Sequence, residues 1–79
     1  MSELILYYQP ECHLCDEAEA VLQAAGLGEG YLKVDIETDL ELLKRYGIDV
    51  PVLERSDNQT ELFWPFDQQE LIAFLQADS

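Results

Sequence analysis

The feature that most constrains this sequence is a pair of cysteines, Cys12 and Cys15, placed where one hydrophobic pattern gives way to another. Before the pair, residues 4–8 form a continuous apolar run, partly β-branched and aromatic, which is typical of a central buried strand. After the pair, apolar residues recur at helical spacing, as on the buried face of an amphipathic helix. The pair is therefore predicted to lie between a strand and a helix, at the N-terminus of the helix.

A disulfide between Cys12 and Cys15 would contribute little to stability, because the effect of a cross-link grows with the length of the loop that it closes. A chemical role, in redox reactions or in metal binding, is the better explanation of the pair. The dipole and the free N–H groups of a helix N-terminus stabilise a thiolate, and the pKa of a thiol in such a motif falls below its usual value of about 8.5. Cys12 is predicted to form the thiolate. Cys15, one turn further in, is predicted to attack a mixed disulfide formed at Cys12.

The middle of the sequence predicts a second strand and a short second helix. Apolar and polar residues alternate over residues 31–36, which indicates a strand with one buried face. Thr38 or Asp39 is suited to cap a short helix, because a side-chain oxygen at this position accepts a hydrogen bond from a free N–H group. Leu40 and Leu43 are predicted to lie on the inner side of that helix.

The last part of the sequence predicts a β-hairpin and a third helix. Residues 50–55 form a strand with a proline at its entry, residues 56–59 a polar turn, and residues 61–64 a fourth strand. Asp67 and Glu70 have the spacing of a capping box. The apolar residues predicted to face inward from the third helix are Leu71, Ile72, Phe74 and Leu75.

Together these elements predict a single α/β domain over residues 1–79, in the order β-α-β-α-β-β-α. A chain of 79 residues suits one domain. Two βα units followed by a hairpin and a helix imply a four-stranded mixed sheet, in which the first two strands are parallel and the hairpin adds antiparallel pairing.

The sequence is strongly acidic, with 17 aspartates and glutamates against four lysines and arginines and a formal net charge of -13. Such a charge repels phosphate, so we expect neither nucleic acid nor a membrane surface as a partner. A basic protein partner fits this charge, and so does solubility alone.

The compartment predicted from the sequence is the cytosol. The first residues carry no basic region, and the apolar run that follows them is too short for a signal peptide. No stretch approaches the roughly 20 apolar residues that a membrane helix needs. In the cytosol, a close cysteine pair is more often catalytic or metal-binding than structural.

Residues 8–15, the later Val50-Pro51 and the order of the elements together resemble glutaredoxins and the wider thioredoxin superfamily. The resemblance covers essentially the whole chain, and it is closest to a group of short bacterial glutaredoxin-like proteins. It implies a thioredoxin fold in which Cys12 attacks a substrate and Cys15 resolves the mixed disulfide. It also implies that Pro51 is the family's cis-proline facing the cysteines, and that the backbone of Val50 pairs with a bound thiol peptide such as glutathione.

The sequence departs from glutaredoxins at positions that bind glutathione. Gln9 stands where a basic residue is usual, and residues 64–67 replace a Gly-Gly turn that receives one glutathione carboxylate. Glu11 and Asp16 flank the cysteines, and like charge disfavours both a thiolate and an anionic tripeptide. These departures weigh against glutathione as co-substrate. We expect no bound cofactor, and a disulfide-containing protein or a small thiol as the substrate.

Four further residues have two interpretations each. A protonated His13 beside Cys12 would favour the thiolate, or His13 is simply an exposed residue of the first turn. Tyr8 either covers the cysteine site or packs in the core. Trp64 and Phe66 either form an apolar rim on which a partner docks, or they close the core between the hairpin and the last helix.

The sequence thus predicts a thiol–disulfide oxidoreductase, and two alternatives stay open. One is a non-catalytic, acidic interaction module on a thioredoxin-like scaffold, because a fold does not prove an activity. The other is a metal or iron–sulfur site shared by two chains through Cys12 and Cys15. We predict no metal site within one chain, because the sequence has no second cysteine pair and His13 is its single histidine.

Overall fold

The computed structural model describes residues 4–28, 30–57 and 59–76, and within them it contains three helices and one four-stranded sheet. The elements are β1 (Leu4–Tyr8), α1 (His13–Ala24), β2 (Leu32–Asp35), α2 (Leu40–Tyr46), β3 (Val52–Arg55), β4 (Glu61–Phe63) and α3 (Gln68–Gln76). A single 3₁₀ turn, Ile36–Thr38, lies between β2 and α2. The predicted order β-α-β-α-β-β-α is confirmed.

The strands are arranged in the order β2-β1-β3-β4, and β1 is parallel to β2 but antiparallel to β3. Tyr8 is paired with Asp35 at the end of β2, and Tyr7 is paired with Val52 at the start of β3. The segments that follow β1 and β2 and the segment that precedes β3 therefore meet at one end of the sheet, here called the site end. The hairpin of β3 and β4 completes the predicted mixed sheet.

Each face of the sheet carries its own hydrophobic core. On one face, Leu6 and Leu53 pack with α1 and α3, where Leu22 and Leu71 are also fully buried. On the other face, Ile36, Tyr46 and Val52 form a smaller core beneath α2. Because full burial of one aliphatic side chain contributes about 1.5–3 kcal/mol, the larger core is the main support of the sheet and of the helix that follows the cysteines.

Helix α1 begins directly after Cys12, and its buried residues are Cys15, Ala18 and Leu22. This spacing places all three on the face that meets the sheet. The chain leaves the helix through Gly26, whose φ of 84° is a left-handed conformation that glycine adopts without steric cost. The predicted start of this helix at the cysteine pair is confirmed.

The prediction for the inner side of α2 is wrong. Leu40 is 65% exposed and Leu43 also lies at the surface, whereas Leu42 and Tyr46 pack against the sheet. The helix has only seven residues, and two apolar pairs in it have helical spacing, Leu40 with Leu43 and Leu42 with Tyr46. The aromatic ring of Tyr46 stacks on Tyr7, which determines the pair that turns inward.

The second strand is shorter than predicted, because Ile36 belongs to the 3₁₀ turn and not to β2. Leu32 is half exposed, although it shares the strand face expected to be buried. β2 is an edge strand, and α2 is too short to cover this part of the sheet. Strand β3 likewise begins at Val52, two residues after its predicted start.

The end of the chain follows the prediction closely. Asp67 and Glu70 form the capping box at the start of α3, and Leu71 is fully buried. Ile72 is 40% exposed, so its predicted inward position is wrong. Phe66 is buried and packs edge-on against Trp64, which favours the core interpretation of this aromatic pair over a docking rim. None of the described helices is long and apolar enough to cross a membrane.

Candidate functional site

Cys12 is the N-cap of α1. Its backbone is extended, with φ -98° and ψ 107°, and its Sγ accepts a hydrogen bond from the N–H of Cys15 at 3.1 Å. Its carbonyl oxygen accepts the next helical bond from the N–H of Asp16 at 3.2 Å. An N-cap side chain normally supplies an oxygen that satisfies one of the free N–H groups, and here sulfur takes that role.

Cys12 and Cys15 are joined by a disulfide, with their Cα atoms 5.2 Å apart. This Cα separation lies within the usual range for disulfides. Cys15 is only 3% exposed, whereas Cys12 is half-buried. A molecule approaching from solvent therefore reaches Cys12 first, in agreement with the order of attack predicted from the sequence.

Three residues connect β1 to Cys12, and the last of them has an unusual backbone. Glu11 is exposed and has a φ of 58°, a left-handed conformation that side-chain-bearing residues seldom adopt. Together with Pro10, this turn reverses the chain sharply enough for the helix to begin at the end of the strand. Strained turns of this kind are frequent at functional sites.

The structure brings the predicted substrate-binding residues to the site end of the sheet. Tyr8 ends β1 half-buried, Pro51 is fully buried directly before β3, and the Val50-Pro51 peptide bond is cis. The N–H of Val50 already donates to the carbonyl of Tyr46 at 3.1 Å. Without a rearrangement of this bond, a bound peptide could therefore use only the Val50 carbonyl.

His13 lies in the first turn of α1, and its side chain is exposed. Among the described residues, no hydrogen bond or ion pair holds its imidazole. The group is free to turn toward a molecule bound at Cys12. This position is compatible with either interpretation of His13 given above.

A polar network on the flank of α1 was not predicted from the sequence. Tyr31 donates to Glu19 at 2.7 Å, Lys33 pairs with the same carboxylate at 3.1 Å, and Gln23 donates to the Tyr31 hydroxyl at 3.2 Å. Burial and the hydrogen bond to Glu19 raise the pKa of Tyr31. The Lys33 ammonium also lies 4.6 Å from the centre of the Tyr8 ring. Glu19, Tyr31 and Lys33 border an open cavity of about 440 Å³.

A second network, on the face under α2, was also missed. Glu54 and Glu61 are directly opposite each other on β3 and β4. Tyr7 donates to Glu54 at 2.8 Å, Tyr46 donates to Glu61, and Arg45 lies 3.5 Å from Glu61. Burial, followed by the hydrogen bond to Glu54, raises the pKa of Tyr7 to about 12. The sequence signal for this network is the presence of one glutamate in each strand of the hairpin, Glu54 and Glu61. The two are recognised as facing each other only when the register of the strands is known.

The described residues contain no group of three or more histidine, cysteine or acidic side chains placed to hold a metal ion. His13 and the exposed carboxylates of Glu11 and Asp16 are neighbours of the cysteines in the chain. A site made by Cys12 and Cys15 of two chains would need ligands from both chains. The cysteine pair itself, joined by a disulfide, is suited to a role in thiol redox chemistry.

Comparison with known proteins supports this interpretation. Residues 3–76 match the family described as Glutaredoxin-like domain (DUF836). No curated protein matches the sequence. The X-ray structure of target protein XcR50 from X. campestris is 42% identical with a TM-score of 0.86, covering 96% of this chain and 99% of that one.

Two more distant structures also share the architecture. Protein Ne2328 from Nitrosomonas europaea is 26% identical with a TM-score of 0.74, covering 92% of this chain and 89% of its own. The Trx4 domain of ERdj5 is 17% identical with a TM-score of 0.56, covering 95% of this chain and 76% of its own, and it supports the fold alone. The four-stranded mixed sheet and three helices are those of a thioredoxin-like fold.

Proposed function

Because the chain belongs to the family of glutaredoxin-like domains, we propose that it is a thiol–disulfide oxidoreductase in which Cys12 attacks and Cys15 resolves. The family and the disulfide between the two cysteines support a role in thiol redox chemistry. The observation that carries the specific proposal is the N-cap position of Cys12. At this position the Sγ atom of Cys12 accepts a hydrogen bond from the N–H of Cys15 at 3.1 Å, and the side chain of Cys15 is buried.

The helix terminus supplies the activation that this chemistry needs. When the disulfide is reduced, a thiolate on Cys12 would keep the hydrogen bond from Cys15 and gain from the positive end of the helix dipole. Glu11 and Asp16, both exposed, work against the thiolate because they are negatively charged. The thiolate is the nucleophile, so no separate general base is required for the first attack.

The reaction then proceeds in two exchanges. The Cys12 thiolate attacks one sulfur of a substrate disulfide, a mixed disulfide forms, and the first substrate thiolate leaves. Cys15 loses its proton and attacks Cys12 Sγ, which restores the intramolecular disulfide and releases the second substrate thiolate. Two electrons pass from the protein to the substrate, and a dithiol reductant returns the protein to the reduced state.

The surroundings of the cysteines suggest how a substrate is held. We assign Tyr8, Pro51 and the Val50 carbonyl to contacts with the substrate, and His13 to the outer side of the same site. The substrate class is a disulfide-containing protein or a small thiol compound, with glutathione as a disfavoured co-substrate. The proposed compartment is the cytosol, where the glutathione and thioredoxin systems keep such a pair reduced.

The test is equilibration of the protein in a series of glutathione redox buffers, followed by acid quenching and mass spectrometry. We expect a reversible Cys12–Cys15 disulfide with a reduction potential of about -270 to -200 mV, the range of thioredoxins and glutaredoxins. A Cys12–glutathione adduct would show that glutathione fits the site. Thiols that stay reduced throughout would overturn the proposal and favour the acidic interaction module.

A matched pair of variants separates the two cysteine roles. We expect Cys12→Ser to abolish the reduction of any disulfide, and Cys15→Ser to accumulate a mixed disulfide at Cys12 that is not resolved. In the reduced wild type, iodoacetamide should modify Cys12 much faster than the buried Cys15. Equal and slow alkylation of the two thiols would contradict the assignment.

A further inference from the structure

The residues next to the cysteines in the chain are negatively charged. Glu11 directly precedes Cys12, and Asp16 and Glu17 directly follow Cys15. All three acidic side chains are exposed. Consecutive Cα atoms are about 3.8 Å apart, so the carboxylates of Glu11 and Asp16 stay within several ångströms of the redox pair.

Two other segments bring more carboxylates to the site end of the sheet. Asp35 is paired with Tyr8 at the end of β2, and the exposed Glu37 and Asp39 follow it at the 3₁₀ turn. From the other side, the exposed Asp49 lies two residues before Pro51. Three segments that are separate in sequence thus contribute the same sign of charge to one end of the molecule.

The basic residues lie outside these segments. Apart from His13, residues 9–17, 35–39 and 48–51 contain no basic residue. Lys33, Arg45 and Arg55 are paired with Glu19, Glu61 and Asp57, respectively. Lys44 lies in the last turn of α2. These segments hold no permanent positive charge, and Lys33, whose ammonium lies 4.6 Å from the centre of the Tyr8 ring, is neutralised by its pair with Glu19.

We propose that the Cys12–Cys15 pair selects disulfides that carry positive charge close to their sulfur atoms, and that it discriminates against anionic disulfides such as oxidised glutathione. This inference rests on the proposed function and names its substrate class. A surface of one sign raises the local concentration of oppositely charged substrate and increases association rates by about 10- to 1000-fold. The bonds made and broken, and the two electrons transferred, are those of the exchange described above.

The test measures single turnovers of the fully reduced protein with three small disulfides. Cystamine is cationic, 2-hydroxyethyl disulfide is neutral, and 3,3′-dithiodipropionate is anionic. Each rate is divided by the rate of the same disulfide with dithiothreitol, a neutral dithiol, which removes differences in intrinsic reactivity. At about 10 mM ionic strength we expect cystamine to be favoured over the anionic disulfide at least about tenfold.

The salt dependence gives a second reading of the same preference. The screening length falls from about 30 Å at 0.01 M to about 3 Å at 1 M ionic strength. The cystamine preference should therefore approach one in 1 M salt. A cystine-bridged peptide flanked by lysines, compared with cystamine, shows whether a protein or a small molecule is the better cationic substrate.

A pair of charge-matched variants localises the effect. Glu11→Gln with Asp16→Asn removes two charges beside the cysteines. Asp67→Asn with Glu70→Gln keeps the cap acceptors but removes two exposed charges at the start of α3, which Gln68 joins to Ala24 at the end of α1, about 18 Å along the helix from Cys12. Removing one carboxylate about 8 Å from the reacting sulfur changes the rate about twofold in water of low ionic strength. The rate with cystamine falls, and the rate with the anionic disulfide rises. The first variant should therefore lower the ratio of the cystamine rate to the anionic rate about 16-fold, and the second, whose charges lie farther away, only about twofold.

The outcomes separate this inference from the function on which it rests. If no disulfide is reduced, the proposed oxidoreductase activity is wrong. If all three are reduced at similar normalised rates, or if the preference does not respond to salt, the activity stands and the charge selection is overturned. An equal loss of preference in the two double variants would also overturn the role assigned to Glu11 and Asp16. Circular dichroism of each variant establishes that it is folded before rates are compared.

Discussion

At the scale of single residues, two side chains show how sequence position becomes chemistry. The sulfur of Cys12 caps α1, so the atom proposed to react is also the atom that accepts a hydrogen bond from the N–H of Cys15. Tyr7 has a different task. Its ring stacks on Tyr46 of α2 at 4.6 Å, and its hydroxyl donates to Glu54 of β3 at 2.8 Å, so one side chain contacts both the helix above it and the neighbouring strand.

We predict that Tyr7→Phe destabilises the protein by about 1–2 kcal/mol. The substitution keeps the stacked ring but removes a hydrogen bond to a carboxylate, and such bonds contribute about 1–3 kcal/mol. Urea unfolding followed by circular dichroism measures the change at pH 8. Tyr8→Phe is the control, because among the described residues the Tyr8 hydroxyl has no hydrogen-bond partner, and it should change stability by less than about 0.5 kcal/mol.

The contribution of Tyr7 should also depend on pH. Its pKa is raised to about 12, first by burial and then by the hydrogen bond to Glu54, whereas an unfolded tyrosine ionises near 10. The stabilisation is therefore complete below pH 10 and is lost as the pH rises from 10 to 12. The stability difference between wild type and Tyr7→Phe should shrink over that interval, and a constant difference would contradict this account.

At the scale of elements, the start of α3 shows how a short helix is held in place. Asp67 accepts the N–H of Glu70 at 2.7 Å, and the Glu70 carboxylate returns to the N–H of Asp67 at 3.4 Å. Gln68 then donates to the carbonyl of Ala24 at 3.1 Å, which joins the start of α3 to the end of α1. The cap positions the helix so that Leu71 enters the main core.

We predict that Asp67→Ala costs about 1 kcal/mol in the free energy of unfolding. Alanine leaves the N–H of Glu70 without its acceptor, and loss of an N-cap costs about 0.5–2 kcal/mol. Asp67→Asn keeps an acceptor oxygen and should retain most of the stability. Chemical denaturation of the three proteins measures the difference, and an asparagine variant as unstable as the alanine variant would show that the cap is not the cause.

At the scale of the whole molecule, one arginine ties the hairpin to the last helix. Arg55 is 8% exposed, pairs with Asp57 of the hairpin turn at 2.6 Å, and donates to the carbonyl of Phe74 in α3 at 2.8 Å. The elements that it joins are distant in sequence but adjacent on one face of the sheet. Arg45, by contrast, makes its ion pair with Glu61 at the surface.

We predict that Arg55→Met destabilises the protein by about 2–3 kcal/mol, whereas Arg45→Met costs no more than about 1 kcal/mol. Replacing a buried arginine that connects two elements removes several charge-assisted hydrogen bonds at once. An exposed ion pair contributes little to stability, so its loss costs less. Thermal and urea unfolding of both variants at the same pH measures the contrast. If the two variants lose similar amounts of unfolding free energy, the contact of Arg55 with α3 does not contribute more than a surface ion pair.

Much of the fold and the core of the candidate site were predictable, because they depend on residues close together in sequence. The cap at Cys12, the buried spacing of Cys15 and Ala18, and the Asp67 cap are each set within one helical turn. The order of the elements follows from changes in hydrophobic period along the chain. The positions of Val50 and Pro51 near the cysteines, by contrast, came from the family resemblance.

What only the tertiary structure decided depends on which surfaces meet. Leu40 and Ile72 have the spacing of core residues, but they are exposed because the sheet meets another side of each helix. The pairing of Tyr7 with Glu54 and of Tyr46 with Glu61 needed the register of three strands and the seating of α2. The sequence by itself therefore determined the elements and the reactive pair, through local spacing and capping. The packed structure determined which faces are buried and which charges gather around the cysteines, because both depend on contacts between distant parts of the chain.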